Sequence, residues 1–325
     1  MLNVLFAGSP ECAVLSLEAV ARSHRVVAVL TNPPSRSGRS GDLVPTPVAQ
    51  EAERLKEAGL IPADTPIITP EKINQDVREA IAATKPDIMA CFAYGKIFGP
   101  KTLDLFPLGA VNLHPSLLPR WRGCAPVPAA ILARDSVTGI TIQKMALEMD
   151  AGDIIIQTTM ALDGTETAES LLERAAREGA PLLTEALDRI ERGEAAATPQ
   201  NGTGATYCAM LRKEDGIVDW TKSALAIDAQ IRAFHPWPGA FTRAGDDVLL
   251  ILSARPYTGT ALSGDNGTGG MAPGKIAGVD KKEGILVQTG KGLLVLERLQ
   301  WRTKKPLDWK SFLNGSQNFL ERTLT

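Results

Sequence analysis

The strongest constraint on the fold is a set of short, nearly unbroken apolar runs in the first half of the sequence. Leu2–Ala7, Arg25–Thr31, Ile67-Ile68, Asp87–Ala93 and Gly109–His114 all read as strands. Strands without polar alternation are buried on both faces, as in a sheet covered by helices on each side. The intervening segments read as helices: Pro10 to about Ser23, Pro45–Ala58 and Pro70–Thr84. Proline suits a first helical turn, and Glu11 is favourable near the positive end of the first of them. This β-α rhythm predicts an α/β unit with a Rossmann-like parallel sheet. Gly139–Met145 and Asp153–Thr159 add two strands to a sheet that is parallel or mixed, and Glu166–Gly193 reads as a long amphipathic helix.

The texture then changes. Glu194–Thr206 (EAAATPQNGTGAT) is small, polar and turn-prone, and reads as a linker. Beyond it, Val248–Ser253, Gly284–Gln288 and Gly292–Gln300 are short strand-like runs separated by glycine-rich turns. They predict a small β-barrel, OB-like, or a sandwich, preceded by a helix at Ala224–Phe234. The expected organisation is a catalytic domain at 1–193, a linker at 194–206 and a β-barrel domain at 207–325. A length of 325 residues suits two such domains.

The net charge is −2, which excludes a protein coated in positive charge. The average hides a split. Residues 206–325 carry 16 basic and 12 acidic residues, net +4, and residues 1–205 carry 19 and 25, net −6. Arg302, Lys304 and Lys305 cluster beside Trp301 and Trp309. Basic residues interleaved with aromatics fit a nucleic-acid backbone, and equally an ordinary solvated face. The cysteines (Cys12, Cys91, Cys124, Cys208) lack zinc or redox spacing and read as reduced thiols of a cytoplasmic protein. No run approaches the roughly 20 apolar residues of a membrane span.

Three segments carry candidate chemistry. In GAVNLHPSLLPRWRG, Asn112 and His114 alternate onto one face at the carboxyl end of an apolar strand, where open α/β sheets place their sites. An amide donor beside an imidazole can stabilise an oxyanion and manage a proton, or can merely satisfy backbone groups at a strand end. Ser116–Gly123 (SLLPRWRG) combines rigid turn formers, arginines and an indole, which suits a loop that wraps a ligand. Asp150-Ala151-Gly152-Asp153 is a turn before a strand, and Asp150 becomes a partner for His114 if the sheet brings them together.

Asn-x-His, SLLPRWRG and an Asp preceding Gly-Asp-Ile, in this order and spacing, resemble the folate-dependent formyltransferase family. The likeness covers nearly the whole chain. FAGSPECAV resembles the family's first strand-turn-helix, and CFAYGKIFGP its folate-pocket segment. KEDGIVDW, IRAFHPWPGAFT and LERLQWRTKKPLDWKSFLNG resemble the carboxyl-terminal domain of the members that act on transfer RNA.

The resemblance implies a metal-free transfer from 10-formyltetrahydrofolate to the α-amino group of methionine on initiator tRNA, by a monomer. It implies catalytic roles for Asn112, His114 and Asp150. Asn112 and His114 would stabilise the oxyanion, and Asp150 would help remove the amine proton and hold His114. It implies folate contacts at Ser116, Leu117, Leu118, Pro119, Tyr94 and Ile97. It implies tRNA contacts at Arg36 and Arg39 in the loop Asn32–Thr46, besides Lys304 and Lys305. Gly41 and Asp42 stand where the family often carries lysine.

Rival readings are a formyltransferase acting on a small amine, a formyltetrahydrofolate hydrolase with water as acceptor, and a non-catalytic nucleic-acid-binding module. The last leaves Asn112, His114 and Asp150 unexplained. A nicotinamide enzyme is disfavoured because G-x-G-x-x-G does not follow the first strand.

Overall fold

The structure is a computed structural model that describes residues 1–37, 41–259, 270–316 and 318–325. It divides into two compact units. The first comprises Met1–Pro126, Val137–Ala161 and Leu171–Ala209, and the second Val127–Ser136, Leu162–Ser170 and Met210–Thr325.

The first half of the chain runs β1 (Asn3–Gly8), α1 (Val14–Ser23), β2 (Arg25–Leu30), β3 (Ser35–Ser37), β4 (Asp42–Val44), α2 (Pro47–Glu57), β5 (Ile67–Ile68), α3 (Gln75–Ala83), β6 (Ile88–Phe92), α4 (Pro100–Leu103) and β7 (Ala110–His114). It continues through β8 (Arg122–Gly123), α5 (Pro126–Leu132), β9 (Val137–Lys144), β10 (Ile154–Ala161), α6 (Ala168–Glu191) and β11 (Tyr207–Cys208). Seven strands form one sheet in the order β10-β9-β7-β6-β1-β2-β5. The pairs from β5 to β7 are parallel, whereas β9 is antiparallel to both β7 and β10. The mixed sheet matches the expectation from the sequence. All five residues of β6 are buried, as its apolar run requires.

Helix starts follow side-chain chemistry. Thr46 caps α2 by accepting from the Ala49 amide at 3.1 Å, with Pro47 at the first helical position. Asn74 accepts from the Val77 amide at 3.0 Å, so α3 begins at Gln75 rather than at Pro70. The sheet folds outward from β1: the chain adds β2 and β5 on one side, then crosses to β6 and β7 on the other. That reversal places the carboxyl ends of β1, β6 and β7 around one crevice edge, the usual location of a site in such sheets.

The segment 194–206, expected as a linker, is hydrogen bonded to the first unit. Thr198 and Ile154 exchange backbone hydrogen bonds at 2.8 and 2.9 Å. The Arg122 amide donates to the Thr206 carbonyl at 2.8 Å, and β11 pairs in parallel with β8.

The second unit holds α7 (Ala224–Ala233), β12 (Ala240–Ala244), β13 (Asp247–Pro256), β14 (Ile276–Asp280), β15 (Gly284–Gln288), β16 (Leu293–Trp301), β17 (Leu307–Asp308) and α8 (Trp309–Asn314). Its antiparallel sheet runs β12-β13-β16-β15-β14, with β17 beside β16. The last residues bridge the two edge strands: Leu324 pairs with Ala244 at the end of β12, and Thr323 with Lys275 before β14. This closes the curled sheet as expected of a barrel. Ile227 and Ile231 of α7 join Leu249, Ile251, Leu294, Leu296 and Phe312 in its core. Phe312 and Phe319 meet edge to face with centroids 4.9 Å apart, a geometry worth about 0.5–1.5 kcal/mol beyond area burial. Among the described residues, no helix is long and apolar enough to cross a membrane.

Candidate active site

β7 ends at His114, which is 4 % exposed. The imidazole Nε2 lies 2.8 Å from the Trp121 carbonyl oxygen. A carbonyl can only accept, so Nε2 carries the proton. The other ring nitrogen, Nδ1, faces Asp150 Oδ1 at 3.6 Å. Burial pushes the imidazole below its ordinary value of 6.5, and the Asp150 charge and the Trp121 carbonyl pull it partly back. His114 is therefore neutral at rest, with the Nδ1 lone pair turned toward a carboxylate. That arrangement leaves one nitrogen free to take a proton beside the Asp150 charge while the other stays fixed by the backbone.

Asp150 sits in the turn between β9 and β10, at a φ of 53°. Aspartate tolerates this left-handed region better than most residues. Its carboxylate is held at both oxygens. The Gly123 amide donates to Oδ2 at 2.8 Å, and Gln143 Nε2 donates to Oδ1 at 2.9 Å. Glycine is required at 123: a Cβ there would stand 2.2 Å from the Cys208 carbonyl oxygen. Gly152 is equally constrained, since a Cβ would lie 1.7 Å from the Lys144 carbonyl oxygen. Trp121, whose carbonyl fixes the histidine, has a φ of 60°, an uncommon conformation for a bulky residue. Its amide donates to Thr206 Oγ1 at 2.9 Å, and the Arg120 guanidinium lies 4.4 Å from its ring centroid.

Asn112 stands two residues before His114 on β7, in register with Gln143 of β9 and Cys91 of β6. It is half-buried, whereas His114 and the following Pro115 and Ser116 are buried. The sheet thus brings Asn112, His114, Gln143 and Asp150 to one region.

The loop after β7 is internally stitched. Ser116 Oγ donates to the Arg120 carbonyl at 2.7 Å, and Thr141 Oγ1 donates to the Ser116 carbonyl at 2.7 Å. The Leu118 amide donates to Thr141 Oγ1 at 3.2 Å, and the Leu118–Pro119 peptide is cis. Ser116 is fully buried and Leu118 is 3 % exposed, so these residues shape the loop rather than line its open face. Leu117 and Pro119 are half-buried. Tyr94 and Ile97, three residues apart after β6, differ sharply. Tyr94 is 1 % exposed and stacks on Phe98 at 5.2 Å, whereas Ile97 is 79 % exposed. The Tyr94 hydroxyl has no hydrogen-bond partner, and burial pushes it up to about 12. Asn32 donates from Nδ2 to the Tyr94 carbonyl at 3.0 Å, and its buried Oδ1 is likewise unpartnered.

Of the residues expected to meet RNA, Arg36 is exposed on the β3–β4 hairpin, opposite Leu43. Arg39 lies outside the described residues. Lys304 and Lys305 are exposed in the turn after β16. Sequence reasoning missed Gln143 and Gly123. No signal along β9 marks Gln143, because its six inner residues are all buried and its place opposite Asn112 follows only from the strand pairing. Among the described residues, His24, Asp188 and Glu191 bring ligand atoms within 4.8 Å of one another, away from this site in the sequence.

Residues 2–187 match the family described as formyl transferase, and residues 210–317 match the formyl transferase C-terminal domain. The chain belongs to the formyl transferase family. A methionyl-tRNA formyltransferase from Treponema denticola is 48 % identical over 320 residues, 98 % of each chain. Among solved structures, the methionyl-tRNA formyltransferase from Clostridium thermocellum aligns with a TM-score of 0.55 at 18 % identity. That alignment covers 80 % of this chain and 95 % of the other. HypX from Aquifex aeolicus, in complex with tetrahydrofolic acid, aligns with a TM-score of 0.60 at 17 % identity, over 98 % of this chain and 48 % of its own. The formyl transferase fold expected from the motifs is the fold observed, in both its parts.

Proposed function

We propose that the protein transfers the formyl group of 10-formyltetrahydrofolate to the α-amino group of methionine on initiator tRNA, which serves translation initiation. The observation that carries the reading is the buried His114–Asp150 pair at the carboxyl end of β7, with Asn112 on the same strand. Relatives bearing the methionyl-tRNA formyltransferase name along the whole chain support the choice of acceptor. A +4 carboxyl-terminal part is consistent with it.

In this reading the folate co-substrate supplies the one-carbon unit, and the protein supplies positioning and proton handling. Asn112 Nδ2 donates toward the formyl oxygen as it gains negative charge, and His114 joins it once its Nδ1 has taken up a proton. A preorganised donor at such a position is worth about 10²–10³ in rate. Asp150, fixed by Gly123 and Gln143, takes the proton that the neutral amine sheds as its nitrogen bonds to the formyl carbon, and His114 beside it relays a proton to N10 of the folate as the carbon–N10 bond breaks and tetrahydrofolate leaves. The unpartnered Tyr94 hydroxyl and Asn32 Oδ1 fit a polar heterocycle, which offers both donors and acceptors. The stitched Ser116–Pro119 loop and exposed Ile97 would complete that pocket. Arg36, Arg39, Lys304 and Lys305 would meet the RNA backbone, and the reaction calls for no metal.

The test is formyl transfer from 10-formyltetrahydrofolate to methionyl initiator tRNA, run beside small amines and a no-acceptor control. Formylmethionyl-tRNA is the expected product. Formylation of a small amine alone, or release of formate alone, would replace the reading with an amine formyltransferase or a hydrolase.

A further inference from the structure

The turn that carries Asp150 is latched from outside the catalytic motifs. Gln200 lies in the polar segment between α6 and β11, far along the chain from β9. Its Nε2 donates to the Asp150 carbonyl at 2.8 Å and the Gly152 carbonyl at 2.7 Å, and reaches Gln143 Oε1 at 3.3 Å. Its Oε1 accepts twice from the buried Arg122, from Nε at 3.1 Å and Nη2 at 2.8 Å. The amide cannot flip. A guanidinium offers only donors, so the carbonyl end must face Arg122 and the NH₂ end must face the turn. Arg122 is itself held by Glu148 at 3.3 Å and the Tyr207 hydroxyl at 3.1 Å.

Two features make this latch matter to the carboxylate rather than only to the fold. Asp150 adopts a left-handed φ of 53°, a conformation that must be held by its surroundings. Gln143, which Gln200 touches, is also the donor to Asp150 Oδ1. Gln200 therefore grips the Asp150 backbone and one of the donors to its side chain. Its neighbour Arg122 precedes Gly123, whose amide holds the other oxygen.

We infer that Gln200 is a positioning residue for the reaction: its amide sets the Asp150 turn so that the carboxylate faces His114. The inference rests on the catalytic reading of Asp150 given above. Misplacing a reacting group by about 1 Å can cost about 10²-fold, so loss of the latch should lower turnover by about 10–100-fold. Substrate binding does not pass through this turn in the proposed arrangement, so KM for the folate should stay unchanged.

Two variants of the full-length protein and two readouts test it. Gln200→Met keeps the length and removes both hydrogen-bonding ends. Gln200→Glu keeps the acceptor for Arg122 and removes the donor to the turn. Both are expected to lose about 10–100-fold in kcat at unchanged KM. NMR titration of His114 is the second readout, and it needs no acceptor substrate, so it stands even if the tRNA assignment fails. In Gln200→Met the His114 midpoint should fall toward that of Asp150→Asn, as the carboxylate moves away. Wild-type turnover in Gln200→Glu would assign the residue to Arg122 alone and overturn the inference. An unmoved His114 midpoint in Gln200→Met would overturn it too.

Discussion

His114 is 4 % exposed, and both oxygens of its partner Asp150 accept hydrogen bonds, whereas Lys304 and Lys305 stand exposed in the turn after β16. The two regions divide the proposed work. In the first, both ring nitrogens of His114 and both oxygens of Asp150 have named neighbours, and the proposed chemistry depends on fractions of an ångström. In the second, the contribution is charge density, and any one lysine is replaceable. Geometry in a buried cluster is expensive to disturb, while an exposed cluster degrades by increments and answers to salt.

Three substitutions or titrations probe this contrast. The largest effect belongs to Asp150→Asn. The amide keeps the shape and loses the charge, so turnover should fall by at least about 10²–10³ while the thermal transition stays within a few degrees. A variant retaining wild-type turnover would remove Asp150 from the chemistry and leave the buried cluster structural.

An intermediate effect is expected in pH dependence. The His114 imidazole is held below 6.5 in the folded protein, and its unfolded value is the ordinary one. Between the two values the unfolded chain binds more protons, so this residue's contribution to stability is complete above 6.5 and is lost as pH falls below it. The acid limb of kcat should likewise lie below 6.5. Asp150 raises the imidazole, so in Asp150→Asn the His114 midpoint, read by NMR, should drop further. A midpoint above 6.5 in the wild type would break the account of the neutral resting imidazole.

The smallest effect is expected at the other region. Gln at both 304 and 305 should leave kcat at saturating tRNA unchanged and raise KM. The salt dependence of tRNA affinity should flatten by about 0.7–0.9 in slope per lost phosphate contact. An unchanged slope would make the cluster an ordinary solvated face.

The same contrast explains what could be read before the fold was known. β1, β2, β6 and β7 are legible because strands buried on both faces leave continuous apolar runs. β12, β14 and β17 are not: β14 is broken by Gly278, and β17 spans two exposed residues. α5 is hidden by Pro126 and Pro128, and α8 by its mere six residues. At the site, Asn112, His114 and Asp150 are visible as spaced motif residues. Gln143 and Gly123 are not, because their importance arises only when β9 and β8 are brought beside Asp150. The backbone carbonyl of Trp121, which fixes the imidazole, carries no residue-specific signal at all.

The two-residue strand β11 has a practical consequence. Its pairing with β8, the Thr206–Trp121 hydrogen bond and the Thr198–Ile154 bridge all lie downstream of α6. A chimaera that keeps residues 1–209 therefore keeps all of these bonds. A junction at Gly193 would remove the segment that bonds to Ile154, to Trp121 and to the Asp150 turn.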